Sequence, residues 1–218
     1  MATVLGLLIA LFGPLLIAVM SERLTPASNR LVPHLLGQAA LLVVVASVLL
    51  IVLRWEKQPL SSLGVHAATW QSPAWGLALA AFFMYAFAPV ASSGLRRLKL
   101  RGFDAGLAKL AGLPVRYLIL AVLIGGASED LLYRGYAIDR VASLTGSYRL
   151  GGLVPVCIFG LAHAPTWGWG PALTTLGSGG ILTLFYIWQQ DSAANVLAHV
   201  PADLAGLVLM PPFARNRA

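Results

Sequence analysis

Six ionisable residues lie where the chain is otherwise apolar: Glu129, Asp130 and Arg134, then His163, then His199 and Asp203. Centring an Asp or Arg in a membrane-spanning helix costs about 2.5 to 3.5 kcal/mol on insertion scales, so such residues face a protein interior or a water cavity and mark function. At about 100° per residue, Asp130 and Arg134 lie about 40° apart around a helix, whereas Glu129 and Arg134 lie about 140° apart. Arg134 therefore pairs with Asp130, and Glu129 is left to face a different cavity. His199 and Asp203 are again four residues apart, so the carboxylate can orient the imidazole or stabilise its charged form.

The chemistry open to such a set is the activation of water. A carboxylate in a desolvated pocket is suited to take a proton from water at working pH, and Glu129 is the candidate base. His163 could hold the same water, and His199 could donate to the oxyanion that develops when a peptide carbonyl is attacked. Pro201 lies between His199 and Asp203, and Pro155 and Pro165 flank the His163 region; each can bend or end its helix near a polar cavity. On the residues alone, two other readings stay open: a buried polar network that locks helices together, and a transporter's proton relay.

These residues must be positioned by membrane helices. Of 218 residues 58% are hydrophobic and 11% charged, with a mean hydropathy of +0.80, which excludes a water-soluble domain. Apolar segments run over about 2–20, 33–53, 73–91, 115–138, 149–165, 171–188 and 192–210, each near the ~20 residues a span requires. The expectation is an all-α, polytopic integral membrane bundle of seven (six to eight) transmembrane helices, one membrane domain over 1–218 with a catalytic core at about 115–210. Trp55, Trp70, Trp75, Trp167, Trp169 and Trp188 fall near the segment ends, as interfacial tryptophans do. The first segment has no basic leader or cleavage pattern and reads as a retained helix.

Net charge is +7, which in a membrane protein points to cytoplasmic loops and anionic lipid rather than nucleic acid. Arg23, Arg30, Arg96, Arg97, Lys99, Arg101, Lys109, Arg116, Arg215 and Arg217 fall on one side of a seven-span topology, against Arg54, Lys57, Arg140 and Arg149 on the other. The positive-inside rule then places the C-terminus in the cytoplasm. Leu100, Phe103, Leu107 and Leu110 recur at helical spacing among the basic residues of the third loop, the pattern of a basic interfacial helix or of a topology-fixing loop. Cys157 cannot form an internal disulfide and reads as a buried structural thiol. His34 and His66 read as interface residues.

Three segments carry a family resemblance: Glu129-Asp130-Leu131-Leu132-Tyr133-Arg134-Gly135, Phe159-Gly160-Leu161-Ala162-His163 and His199-Val200-Pro201-Ala202-Asp203. They resemble the EExxxR, FxxxH and HxxxN/D motifs, in order and on separate helices, of the CAAX-protease and bacteriocin-processing family, which includes type II CAAX prenyl endopeptidases. The resemblance implies an all-α intramembrane fold and a glutamate-dependent endopeptidase without metal or other cofactor, acting on a membrane-associated protein or peptide, a prenylated CAAX substrate among the candidates. It implies that Glu129 activates water held by His163, that Asp130 and Arg134 support it, and that His199 and Asp203 form the oxyanion pair. Asp130 replaces the motif's second glutamate but still reaches Arg134. Asp203 stands where asparagine is common, and an ionised Asp cannot donate to an oxyanion, which leaves His199 as the main donor.

Other classes make different use of the same residues. Glu129, His163 and His199 could supply a zinc set, although no H-E-x-x-H is present. Gly177-Ser178-Gly179-Gly180 upstream of His199 is an incomplete serine-protease motif and a better helix-packing one. Cys157 lies about 240° around the helix from His163 and does not share its face. Phe159, one turn before His163, reads as the residue that fixes the imidazole. The family also contains scaffold and immunity-type members, and a non-catalytic protein of the same fold would tolerate Glu129→Gln.

Overall fold

In lipid every backbone N–H and C=O must find a partner within the protein, so a chain this apolar folds as helices. A computed structural model describes residues 1–24, 31–67, 69–110 and 112–209. Its elements are α1 (Ala2–Leu24); α2 (Leu31–Leu50), prolonged by a π-helical turn (Ile51–Trp55); a 3-10 turn (Leu60–Leu63); and α3 (Gln71–Phe82), which passes through a π turn (Phe83–Phe87) into α4 (Ala88–Arg97). There follow α5 (Asp104–Leu110); α6 (Val115–Glu129), which passes through a π turn (Asp130–Tyr136) into α7 (Ala137–Thr145); α8 (Tyr148–Trp167); α9 (Trp169–Gln189); and α10 (Ser192–Leu204), ending in a π turn (Ala205–Leu209). No strand occurs among the described residues.

Four runs are long and apolar enough to cross a membrane: Ala2–Arg23, Leu31–Trp55, Gln71–Arg97 and Tyr148–Trp167. The expected count of seven is not reached on that measure. The run from Val115 to Thr145 carries Arg116, Glu129, Asp130, Arg134, Asp139 and Arg140, α9 is diluted by glycines and threonines, and α10 has only 13 residues before its closing π turn. The boundaries expected at 91 and 138 also fall inside longer helices, because the π turns at Phe83–Phe87 and Asp130–Tyr136 continue the helix instead of ending it. Leu16, Val43, Leu123, Leu153 and Leu184 stand exposed on α1, α2, α6, α8 and α9, a liability in water and the normal state in lipid. Trp55, Trp70, Trp75, Trp169 and Trp188 are exposed too, at the helix ends where interfacial tryptophans belong.

Contacts sort the connections into two ends. At one end Lys109 Nζ donates to Glu22 Oε2 (2.7 Å) and to the Thr166 carbonyl (3.2 Å), and any Cβ at Gly170 would collide with the Arg101 carbonyl. The segments around Glu22, Arg101 and Thr166 thus meet, the ones that loop charge assigns to a single side. Arg30, Arg215 and Arg217 of that set lie outside the described residues. At the other end Ser192 Oγ donates to the Leu63 carbonyl and Ser72 Oγ to Asp191 Oδ2, each over 2.5 Å. Asp191 also caps α10, its Oδ1 accepting from Ala194 N (3.0 Å), which satisfies an otherwise orphaned donor of the first turn.

Arg140, expected as a loop cation, is buried in α7. Its Nε and Nη2 donate to Glu56 Oε2 (3.2 and 3.0 Å), its Nη1 and Nη2 to the carbonyl and hydroxyl of Ser62 (3.0 and 3.1 Å), and Tyr136 Oη donates to Glu56 Oε1 (2.8 Å). A charge removed from water is held only by its partners, and stripping one partner from such a pair costs about 3 to 5 kcal/mol. Arg140→Ala and Glu56→Ala are each expected to lower the thermal midpoint of the detergent-solubilised protein by several degrees. The double variant should lose clearly less than the two losses added together; small, additive shifts would show that the pair holds nothing.

Candidate functional site

The motif glutamate and its neighbour straddle a change of helix type. Glu129 is the last residue of α6 and Asp130 the first of the π turn Asp130–Tyr136; such turns widen the helix locally and recur at functional sites. Asp130 is 1% exposed and gathers three donors. Arg134 Nη1 donates to Oδ1 (3.1 Å) from the same turn, Asn195 Nδ2 to Oδ1 (2.9 Å) and His199 Nδ1 to Oδ2 (3.3 Å), the last two from α10. The expected Asp130–Arg134 pair is therefore present. Gly126 admits α10 this close, since a Cβ there would stand 2.8 Å from Val200 Cγ2.

Arg134 is equally enclosed. Its Nη2 approaches the Gly179 carbonyl (3.5 Å) and its guanidinium lies 4.1 Å from the centre of the Phe159 ring. A Cβ on Gly179 would sit 2.7 Å from Phe159 and 3.2 Å from Arg134 Nη2, so the small residues at Gly177-Ser178-Gly179-Gly180 let α9 reach the arginine. Ser178 Oγ donates within its own helix, to Thr175 O (3.3 Å).

His163 is set by Phe159 as the spacing suggested. Its Nδ1 donates to the Phe159 carbonyl (2.9 Å), and the two rings meet edge to face with centroids 4.8 Å apart. A carbonyl can only accept, so Nδ1 carries the proton and Nε2 of the neutral ring is an acceptor. Glu129 and His163 line one cavity of about 230 Å³, together with Tyr133 and residues of α1 and α2. Phe159 is 2% exposed and its ring also meets Tyr133 (5.1 Å) and His199 (6.3 Å) edge to face, so it stands between the cavity and the network around Asp130.

His199 joins the two. With Nδ1 on Asp130, its Nε2 lies 3.3 Å from Asp203 Oδ2 and 4.0 Å from Glu129 Oε2. The i,i+4 pairing expected of Asp203 is present, on the half-exposed outer side of the ring. The geometry therefore assembles Glu129, Asp130, Arg134, His199 and Asp203 by direct contact and brings in His163 through the cavity and Phe159. Among the described residues no three His, Cys, Asp or Glu side chains are grouped so as to hold a metal ion.

Sequence reasoning missed Asn195, which is fully buried. Its signal was a polar residue in an apolar run one turn before His199, hence on the same helix face. His34, read as an interface residue, lines the cavity. Cys157, read as buried, is exposed on α8 and makes no part of the site. His66 lies in the connection after the 3-10 turn, where the Gln190 carbonyl 3.0 Å from its Nε2 holds its titration above the ordinary histidine range.

No curated protein and no solved structure matches the chain. A family does: over residues 111–205, the stretch that contains all six of the ionisable site residues and Asn195, the chain matches the family described as type II CAAX prenyl endopeptidase, Rce1-like, a family of membrane proteases.

Proposed function

We propose that the chain is an intramembrane endopeptidase that hydrolyses a peptide bond of a membrane-associated protein or peptide, with its catalytic core at about 115–210. The observation that carries this reading is that Glu129 shares a cavity with His163 and also lies 4.0 Å from His199 Nε2. A water in that cavity donates one hydrogen to Glu129 and the other to the acceptor nitrogen of His163, which aims its lone pair at a substrate carbonyl. Glu129 takes the proton as the oxygen–carbon bond forms. His199, both of whose ring nitrogens face carboxylates, donates from Nε2 to the oxyanion in place of Asp203. Glu129 then gives its proton to the leaving amine as the carbon–nitrogen bond breaks. Asp130 and Arg134 touch no reacting atom in this scheme; they hold His199 in place. A prenylated CAAX substrate fits the family that the core matches.

The rim of the cavity includes Ser21, Thr166 and Trp167, at the end where Arg23, Arg101 and Lys109 gather. We place that end, and with it the C-terminus, in the cytoplasm. In a Cys157→Ser background, a cysteine introduced at Arg97 should react with a membrane-impermeant maleimide in inside-out vesicles and not in right-side-out ones; the reverse pattern would invert the topology.

Glu129→Gln, assayed as purified protein in lipid nanodiscs on a farnesylated CAAX peptide, should lose at least about 100-fold in kcat, the usual worth of a general base, with its thermal midpoint unchanged. Cleavage by the wild type should survive chelators. Unchanged activity in Glu129→Gln would favour a scaffold, and chelator inhibition a metal hydrolase.

For the oxyanion role, His199→Ala is expected to lower kcat by about 10² to 10³ with a smaller change in KM. Asp203→Asn should retain more activity than Asp203→Ala, because the amide still accepts from the imidazole. Equal activity in Asp203→Ala and wild type would remove Asp203 from the mechanism.

A further inference from the structure

The cavity that holds Glu129 and His163 has a second wall, and that wall comes from outside the segment that matches the protease family. Pro14, Ile17 and Ser21 of α1 and His34, Gln38 and Leu41 of α2 face it. Most of these side chains are apolar or small, and among them Gln38 stands out. Its amide oxygen is buried and has no hydrogen-bond partner among the described residues. A buried carbonyl without a donor is costly, and natural structures keep few of them. The last torsion of a glutamine is broad and close to two-fold, so a rotation of the amide brings that oxygen to the cavity surface without moving the helix. Tyr117 of α6 packs against the same helix: its Oη donates to the His34 carbonyl (3.3 Å) and accepts from the Gln38 side-chain amide, which leaves only the amide oxygen without a partner, and its ring packs on that of His34 with centroids 5.8 Å apart. Tyr117 and His34 thus brace the wall.

A peptide that reaches Glu129 in extended form carries backbone N–H groups into this space, each needing an acceptor once it leaves water. We propose that Gln38 is a substrate-binding residue that accepts a backbone N–H of the bound peptide close to the scissile bond, so that α2 sets which peptides are positioned and α6, α8 and α10 supply the chemistry. This rests on the peptidase reading above. The ligand class is a peptide with a free N–H at one defined position, as opposed to an ester or an N-substituted chain.

The test pairs a variant with a substrate scan. Farnesylated CAAX peptides in which each backbone amide C-terminal to the prenylated cysteine, the scissile one excepted, is replaced in turn by an ester are compared on wild type and Gln38→Leu. In the wild type one ester should raise KM about 10-fold, the range of a single hydrogen bond lost in a dry site, with kcat within about two-fold. In Gln38→Leu the parent peptide should show that same rise in KM, and the ester should add nothing further. An ester penalty that persists undiminished in Gln38→Leu, or a Gln38→Leu that loses kcat alone, overturns the proposal. Should Gln38→Leu fail to fold, Gln38→Met replaces it, and the absence of any ester position costing more than about three-fold in the wild type overturns the proposal without a variant. If the wild type cleaves no peptide at all, the peptidase reading fails separately. Binding of a fluorescent farnesylated peptide then decides for Gln38: weaker binding to Gln38→Leu than to wild type upholds the contact, and equal binding removes it.

Discussion

The site is organised by one buried carboxylate. Asp130 has almost no contact with solvent, and an ion in that setting is tolerable only when charged or polar donors surround it. One donor, Arg134, comes from its own π turn; the others, Asn195 and His199, come from α10. The requirement therefore reaches beyond the local helix: it fixes the rotation of α10, because a helix that presents residues 195 and 199 to Asp130 has no freedom left about its axis. Once His199 Nδ1 is committed to Asp130, its other nitrogen points towards Glu129 and Asp203. Hydrogen bonds of this charge-assisted kind are directional as well as strong, which suits the donor role proposed for His199.

Adjacent carboxylates thus end in opposite circumstances. Asp130 is saturated by donors and enclosed by α8, α9 and α10, while Glu129, one residue earlier, reaches the cavity with His163. Phe159 makes the division physical. Its ring carries Arg134 on its face and His163, His199 and Tyr133 at edge-to-face angles, so a single aromatic separates the cavity from the ion network and keeps both in register. Paired carboxylates in contrasting surroundings are the usual means by which one site holds a reactive acid and a structural one together.

Much of this was legible in the sequence, for reasons that also mark where reading stopped. The Asp130–Arg134 and His199–Asp203 pairs follow from i,i+4 spacing, and Glu129 is separated from the Asp130–Arg134 pair by the same geometry. That geometry assumed 3.6 residues per turn, and the π turn at Asp130–Tyr136 departs from it; the pairing survives because four-residue neighbours stay close in the wider turn. Asn195 leaves a weaker trace, because an uncharged amide in an apolar run costs less than an ionisable side chain and stands out less. Arg140 was misplaced because hydropathy assigns a charge near a segment end to a loop, whereas its partner Glu56 lies 84 residues away and leaves no local trace. Cys157 was misjudged because thiols are buried in proteins surrounded by water, while a lipid-facing position is equally apolar. The cavity wall at His34 and Gln38 is a tertiary feature with no sequence period to announce it.

The two N-terminal helices lie outside the segment that matches the family, yet that segment binds them. Tyr133 Oη donates to the Leu11 carbonyl (3.3 Å), and Tyr136 Oη, its proton given to Glu56 (2.8 Å), lies 3.5 Å from the Thr3 carbonyl, so two tyrosines of the π turn lie against α1 along its length. A carbonyl already bonded within its helix retains a second lone pair, and in an apolar setting that is one of the few acceptors a buried tyrosine can find. Leu7, Ala10 and Leu11 close over Leu132 and Tyr133 around these contacts. Hydrolysis within a membrane needs water kept beside the base and lipid kept away from it. The turn that orients Asp130 also holds α1 against the cavity that Glu129 lines, so the ion network and the N-terminal wall of the cavity depend on the same seven residues.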